Sequence, residues 1–358
     1  MSLSKLDVYN VRNIERATLT PSPHINFVVG ANGSGKTSLL EAVHILGRAR
    51  SFRSSQAGQV IRFSQNDATV SGRTAADGLP PQSVGVRLGK REREIVIEGR
   101  KLQSSAELIT TLPVLLIQPA SSALLENAPK FRRQFLDWGA FHTEPGYLDH
   151  WRGYARALNQ RNALLRQGFS RQAEQSWNHE VARYGTIVAE ARERYVEKLT
   201  PFFMEACQHF LGAHQFELRI AAGWDRKQEL LQVLNNDTEL DRKHGYTHSG
   251  AHKGDFAVAA NGRPAKAYLS RGQMKLLVFA LLLSQAHLLE EAMGRKGCVL
   301  IDDLASELDA DNRRKLLGYL AKRTAQFFIT ATDDQLLAQN EAPDFQIYRV
   351  EQGQILAA

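Results

Sequence analysis

Apolar and polar residues alternate along the first third of the chain in the manner of β-strands. Apolar residues occupy every second position over 84–88, and a second apolar run at 95–97 follows the charged segment 89–93. One helix interrupts this series after Lys36, since the next apolar residues follow helical spacing, at Leu39, Leu40, Val43 and Leu46. Residues 1–118 are therefore predicted to be strands in series with one helix between them.

The pattern then changes twice. Residues 121–240 carry long helical patterns with few β-branched residues, which predicts mainly helical structure. After Gly250 strand-like segments return, followed by an apolar helix at about 272–293 and by buried strands at 298–301 and 327–329.

The two outer parts are predicted to form one domain. We expect an α/β head with mixed sheets made from residues 1–125 and 245–358, and a mainly helical lobe inserted as residues 126–244. A chain of 358 residues is long for one ordinary domain and short for three, which agrees with two lobes.

Composition narrows the class of partner. The formal net charge of +7 favours polyanions such as nucleic acid, although many basic proteins bind none. Cys207 and Cys298 are the only cysteines and have no zinc-site or disulfide spacing. We expect no signal peptide, and the longest apolar run, 276–283, is shorter than the roughly 18 residues of a membrane span. A cytoplasmic protein without a membrane partner is predicted.

A glycine-rich loop follows the apolar run 25–29 and precedes the first helix. It fits the pattern GxxxxGK[ST] with Gly30, Ala31, Asn32, Gly33, Ser34, Gly35, Lys36 and Thr37. Such a loop turns its N–H groups towards phosphate, its lysine bridges the β and γ phosphates of ATP, and its hydroxyl ligates Mg²⁺. The alternative is a plain glycine-rich turn, which the flanking strand and helix disfavour.

Two acids end the apolar strand at 298–301. Asp302 is expected to hold Mg²⁺, and Asp303 is placed to orient or polarise the attacking water. The alternative is a pair of solvated turn residues.

A third segment, Leu269–Gln273, precedes the long apolar helix. Ser270 and the Gly272 backbone would present donors and a helix N-terminus to an anion, whereas the simpler interpretation is an N-cap.

Together these segments resemble an ABC-type ATPase: P-loop, LSxGQ signature with Gln273, double-acid strand, and the following Ser306-Glu307-Leu308-Asp309. The resemblance implies a composite site in an ATP-dependent homodimer, in which Ser270 of one subunit caps the γ-phosphate held by Lys36 of the other.

Within that class the chain is similar to the RecF family over almost its full length. The matching segments are Val11–Ile14, Ser51–Ser54, Phe131–Asp137, Ser249–Asp255, Leu269–Lys275 and Ile301–Asp309. The resemblance places the metal- and γ-phosphate-sensing glutamine at Gln118. It also implies slow ATP hydrolysis, double-stranded DNA and single-strand/duplex junctions as targets, and RecR and RecO as partners in loading recombinase.

Some features depart from the pattern or leave alternatives open. Transport ABC subunits have Gly at the position equivalent to Arg271 and Glu at the position equivalent to Asp303. They also have a switch histidine after the next strand, where this chain has Thr330. The rival interpretations are a transport subunit and an ATP-dependent protein scaffold without DNA contact.

The arginines between 151 and 171 could contact phosphate, but they form no single stripe on a helix. The histidines at 244, 248 and 252 are interpreted as loop and strand residues and not as metal ligands.

Overall fold

The computed structural model describes residues 2–76, 78–167, 171–212, 214–294, 296–304, 308–332, 342 and 344–357. The strands are Ser2–Val11 (β1), Ile14–Leu19 (β2), Ile25–Val29 (β3), Asp67–Ala76 (β4), Leu79–Gly89 (β5), Arg93–Ile97 (β6), Arg100–Lys101 (β7), Val114–Ile117 (β8), Phe216–Ala221 (β9), Asp255–Ala260 (β10), Arg263–Pro264 (β11), Cys298–Ile301 (β12), Gln326–Ala331 (β13), Phe345–Glu351 (β14) and Gln354–Ala357 (β15). The helices are Lys36–Arg48 (α1), Ala106–Thr111 (α2), Ala123–Glu126 (α3), Pro129–Thr143 (α4), Tyr147–Gln167 (α5), Arg171–Leu211 (α6), Leu230–Asn236 (α7), Thr238–His244 (α8), Ala265–Tyr268 (α9), Arg271–Met293 (α10) and Ala310–Leu320 (α11).

A mostly parallel sheet forms the centre of the first compact unit, which comprises residues 1–121 and 279–358. Its strand order is β15-β14-β3-β13-β12-β8, and only β15 runs antiparallel to its neighbour. Strands β3, β12 and β13 are buried along their whole length, as expected for a sheet covered on both faces. The carboxyl ends of β3, β8, β12 and β13 therefore meet at one edge.

A second, antiparallel sheet in the same unit has the order β2-β1-β4-β5-β6-β7. The predicted strands around the charged segment 89–93 are confirmed, because Val84 pairs with Ile97 and Val86 pairs with Ile95. The apolar face of α1, including Leu39 and Leu46, is fully buried in a core shared with both sheets. Burial of this face holds the N-terminus of α1 at the sheet edge.

The second compact unit comprises residues 122–278. It contains α3 to α9 and a small sheet of order β11-β10-β9, and its α6 is 41 residues long. The predicted helical content is confirmed, but β9 lies inside the segment predicted to be helical. It forms a strand because its residues pair antiparallel with β10 from Phe216 opposite Ala260 to Ala221 opposite Asp255.

This pairing also moves a boundary. The predicted division at 244/245 differs from the division of the compact units at 278/279, because β10 pairs with β9 and so keeps residues after 245 with the helical unit. Which parts of the chain serve as head and inserted lobe stays a prediction.

A buried ion pair connects the helices of this second unit. Arg161 of α5 and Asp241 of α8 are fully buried, and the Arg161 Nη1 to Asp241 Oδ2 distance is 2.6 Å. The guanidinium also donates to Asn178 Oδ1 at 2.6 Å and to Thr247 Oγ1 at 2.8 Å. Arg161 therefore belongs to the interior, unlike the exposed Arg152 and Arg156 of the same helix.

Among the described residues, one helix, Arg271–Ala292, is long and apolar enough to cross a membrane. Of its apolar window, 78% is buried within the protein, as in core helices of ordinary globular proteins, so this helix is weak evidence for a membrane span.

Candidate nucleotide-binding site

The glycine-rich loop lies between β3 and α1, as predicted. Gly33 and Gly35 have φ values of 77° and 123°, in the region that favours glycine. A Cβ atom at Gly30 would lie 2.3 Å from the Val350 carbonyl oxygen, so only glycine fits there. The N-terminus of α1 has no side-chain cap and no acid in its first turn. Its first N–H groups are therefore available to an anion.

The two predicted acids lie beside this loop. Residue pairing between β12 and β13, and between β12 and β8, brings Asp302 to the sheet edge next to α1. The Thr37 hydroxyl donates to Asp302 Oδ1 at 3.1 Å, and the Thr330 hydroxyl donates to the same oxygen at 2.9 Å. Thr330 also accepts the backbone N–H of Asp303 at 2.7 Å. Thr330 is a site residue whose contacts the sequence did not predict.

Burial and neighbouring charges shift the pKa values of Lys36 and Asp302. Lys36 Nζ donates to the carbonyl oxygens of Gly30 at 2.7 Å and Ala31 at 3.0 Å. Burial lowers the pKa of Lys36, and the carboxylates of Asp303 and Asp302 oppose this effect. Burial also raises the pKa of Asp302, although the hydrogen bonds from Thr330 and Thr37 act in the opposite direction. A cation near Asp302 would reverse this penalty.

The turn between β1 and β2 supports the loop from the other side. Asn13 Nδ2 donates to the Ser34 carbonyl oxygen at 2.9 Å. Arg12, whose φ is 56°, makes a bidentate ion pair with Glu41 of α1, with both N–O distances at 2.9 Å. Glu41 is fully buried, accepts the Ser51 hydroxyl, and lies 3.7 Å from Arg53. The buried acid thus fixes two arginines at the edge of the site.

These side chains surround one cavity of about 460 Å³. Its lining includes Arg12, Asn13, Asn32, Gly33, Gly35, Lys36, Thr37, Ser38, Arg53, Pro119, Asp302, Asp303 and Thr330. Uncapped helix N–H groups, one lysine and two arginines suit a polyphosphate, and a hydroxyl beside a carboxylate suits a hard divalent cation. The residues present therefore fit a nucleoside triphosphate with Mg²⁺.

The predicted glutamine lies close by in the chain but is not part of this lining. Gln118 follows β8, and the Ile117 carbonyl oxygen accepts the N–H of Asp302 at 2.9 Å. The next residue, Pro119, lines the cavity. Ser306 and Glu307, from the predicted loop after the acids, lie outside the described residues, whereas Asp309 caps α11 by accepting the Asn312 N–H at 2.9 Å.

The signature segment belongs to the second compact unit and forms a capping box at the start of α10. Ser270 N donates to Gln273 Oε1 at 2.9 Å, and Gln273 N donates to Ser270 Oγ at 3.3 Å. Because Ser270 Oγ acts as an acceptor here, its own proton remains available for an anion. A Cβ atom at Gly272 would meet no atom within 4 Å, so the helix N-terminus is open at this point.

His248 and His252, two of the three histidines considered above as metal ligands, make contacts with other residues of the second compact unit. His252 accepts from the Tyr154 hydroxyl at Nδ1, at 2.7 Å, and its Nε2 lies 2.9 Å from the Thr247 carbonyl oxygen. His248 Nδ1 lies 2.6 Å from buried Asp241. Both side chains therefore support the loop that precedes β10.

Comparison with known proteins gives a consistent result. Residues 2–355 match the family model described as the RecF/RecN/SMC N-terminal domain. The chain is 42% identical to the DNA replication and repair protein RecF of Pseudomonas fluorescens, over 99% of this chain and 98% of that protein. It is also 42% identical to the protein of the same name from Stutzerimonas stutzeri, over 99% and 97%.

Solved structures agree. A structure of the recombination mediator protein RecF with ATP, in the RecFOR pathway, matches with a TM-score of 0.88 and 25% identity, covering 100% of this chain and 97% of that one. An Smc head domain from Pyrococcus furiosus matches at 14% identity with a TM-score of 0.61, which concerns the fold alone. The predicted α/β fold of an ABC-type ATPase head is confirmed, and the chain belongs to the RecF family of DNA replication and repair proteins.

Proposed function

We propose that this protein is an ATP-driven switch of recombinational repair: ATP joins two copies, the dimer clamps double-stranded DNA near single-strand gaps and helps to load recombinase, and slow hydrolysis releases it. The observation that carries the proposal is a cavity in which the P-loop, both acids and two arginines meet. The name RecF and the bound ATP of the related structures support the same function.

In this proposal the loop residues 30–37 bind ATP. Backbone N–H groups of the loop and of α1 contact the phosphates, and Lys36 neutralises the β and γ phosphates. Thr37 and Asp302 would hold Mg²⁺, together with Gln118 as the resemblance implies, and the ion would supply charge neutralisation at the phosphates when bound. Asp303 accepts a proton from the attacking water, with Lys36 and Gln118 orienting the γ-phosphate. Because aspartate reaches less far than glutamate, we expect hydrolysis to be slow.

The signature residues act on a second copy of the chain. Ser270 donates its hydroxyl proton, and the Gly272 backbone and Gln273 complete an open helix N-terminus that caps the γ-phosphate held by Lys36 of the partner subunit. The capping box supports this role, because it fixes the serine while leaving its proton free to donate. A single copy would then bind ATP and hydrolyse it very slowly.

DNA and proteins are the remaining proposed partners. The net charge of +7 favours polyanions such as nucleic acid, and we propose duplex DNA and single-strand/duplex junctions as the DNA targets, as the resemblance to RecF implies. Arg152 and Arg156 are exposed on α5 and are candidates for phosphate contacts. We propose RecR and RecO as protein partners, weak ATPase activity that DNA stimulates, and a cytoplasmic location.

A complementation experiment tests the composite site. Sedimentation velocity with ATP and Mg²⁺ should show a dimer for the natural protein and monomers for Lys36→Met and Ser270→Arg alone. An equal mixture of the two variants should recover dimers, because Ser270→Arg supplies an intact P-loop and Lys36→Met supplies an intact signature. Lys130→Met, which removes an exposed lysine of α4, is the matched control. A mixture that stays monomeric, or variants that still dimerise alone, would contradict the proposal.

A further inference from the structure

One buried hydroxyl contacts both acids of the site. Thr330 is the fifth residue of β13, only 1% of its surface is exposed, and β13 lies next to β12 in parallel register. Its hydroxyl donates to the Asp302 side chain at 2.9 Å and accepts the Asp303 backbone N–H at 2.7 Å. Both hydrogen-bonding directions of this hydroxyl are thus used, one for each acid.

The contact with Asp303 is made to an unusual backbone. Asp303 has a φ of 55°, in the left-handed region that residues with a Cβ atom rarely adopt. That conformation sets the direction in which the Asp303 side chain leaves the chain. The N–H group at this turn is held by Thr330, so the acceptor stabilises the backbone state that orients the acid.

The contact with Asp302 is made to an oxygen that a second hydroxyl shares. Thr37 of α1 and Thr330 of β13 both donate to Oδ1, so the carboxylate is held between two different elements. Hydrogen bonds of this kind orient a metal-binding carboxylate and raise its affinity for the ion. The β-branched side chain of Thr330 adds a stiff χ1 angle, which keeps the hydroxyl in one position.

We propose that Thr330 is the positioning residue for both acids: it orients Asp302 for the metal ion through the side chain and Asp303 for the water through the backbone. Thr330 lies inside β13, one residue before its end, whereas transport ABC subunits have their switch histidine after this strand. It acts on the protein's own acids and not on the nucleotide. The inference rests on the proposed function, since it assigns a cause to the geometry of that site.

Two substitutions separate the hydroxyl from the shape of the side chain. Thr330→Val keeps the volume and branching but removes both hydrogen bonds, and Thr330→Ser keeps the hydroxyl with a freer χ1 angle. Thr110→Val is the matched control, because the Thr110 hydroxyl of α2 donates to the Ala106 carbonyl oxygen at 2.8 Å, away from the acids.

The readouts are nucleotide binding and its metal dependence. In EDTA, a fluorescent ATP analogue should bind to the natural protein and to Thr330→Val with affinities within about threefold, since Lys36 and the loop are intact. The Mg²⁺ concentration that gives half of the nucleotide-induced thermal shift should rise about tenfold or more in Thr330→Val. Turnover should fall by at least the same factor with KM for ATP little changed, and Thr330→Ser should recover most of both losses.

Several outcomes would overturn the inference. An unchanged Mg²⁺ requirement in Thr330→Val, or equal losses in Thr330→Val and Thr330→Ser, would show that the hydroxyl does not position the acids. Similar losses in Thr110→Val would assign the effect to general destabilisation. If the natural protein shows no Mg²⁺-dependent nucleotide effect, the proposed function itself fails, which is a different result.

Discussion

Removal of the buried Arg161 side chain should destabilise the protein strongly. The change Arg161→Met keeps the length of an apolar chain but leaves the fully buried Asp241 carboxylate without its cationic partner. It also removes hydrogen bonds to Asn178, Thr247 and the Leu234 carbonyl oxygen. Removing one partner of a buried ion pair costs about 3–5 kcal/mol, so a loss of that size in the free energy of unfolding is expected.

Denaturant unfolding, followed by circular dichroism, measures this loss. The matched control is Arg152→Met in the same helix, where the side chain is 49% exposed and lies 3.8 Å from an exposed Asp149. That change should alter the free energy of unfolding by about 0.5 kcal/mol or less. The double variant Arg161→Met with Asp241→Asn should be more stable than Arg161→Met alone, because it removes a buried charge that has lost its arginine and keeps its contacts with His248.

Two results would refute this reasoning. The losses of Arg161→Met and Arg152→Met could be equal, which would mean that the ion pair contributes nothing measurable. The two changes at Arg161 and Asp241 could be simply additive, which would mean that the unpaired charge is not the cause of the loss.

Three further predictions follow from other parts of the structure. Glu41→Gln removes the charge that holds the arginines at the nucleotide cavity, and should lower the free energy of unfolding of the nucleotide-free protein by about 2 kcal/mol in denaturant titrations; no change would contradict this role. Burial lowers the pKa of His44 to about 3 and that of His252 to about 4, below the ordinary 6.5, so the unfolded chain binds protons first as the pH falls. The free energy of unfolding should therefore decrease below about pH 6.5, by about 2 kcal/mol for each histidine at pH 5. His252→Gln should make the free energy of unfolding less sensitive to pH over that range. A pH dependence as steep as that of the natural protein would exclude His252 as a source of the effect. Arg152→Glu with Arg156→Glu should weaken duplex binding several-fold in fluorescence anisotropy and reduce its salt dependence, and unchanged affinity would remove these arginines as DNA contacts.

The nucleotide cavity could be predicted from the sequence where its residues are contiguous. The strand, loop and helix around Lys36 lie where the pattern predicts them, because a buried strand followed by a glycine loop and an amphipathic helix is a local signal. The same holds for Asp302 and Asp303 at the end of β12. Local chemistry was sufficient for these elements.

Residues that act through pairing between distant segments could not be predicted. Thr330 reaches Asp302 only because β13 and β12 are neighbours in parallel register, which no spacing in the chain indicates. The pairing of Arg12 with Glu41 similarly depends on how the turn before β2 packs on α1. The sequence pattern favours helix over β9, because its six alternating residues carry little signal beside the long helices that precede them.

The most direct test of the proposed function is to measure binding of labelled duplex DNA by fluorescence anisotropy, with and without ATP and Mg²⁺. Lys36→Met and Ser270→Arg are measured alongside the natural protein. The account predicts tight binding that requires ATP and Mg²⁺ and that is lost in both variants. ATP binding without any DNA affinity at low salt would contradict it, and would favour a protein scaffold that uses the same ATP-driven dimerisation.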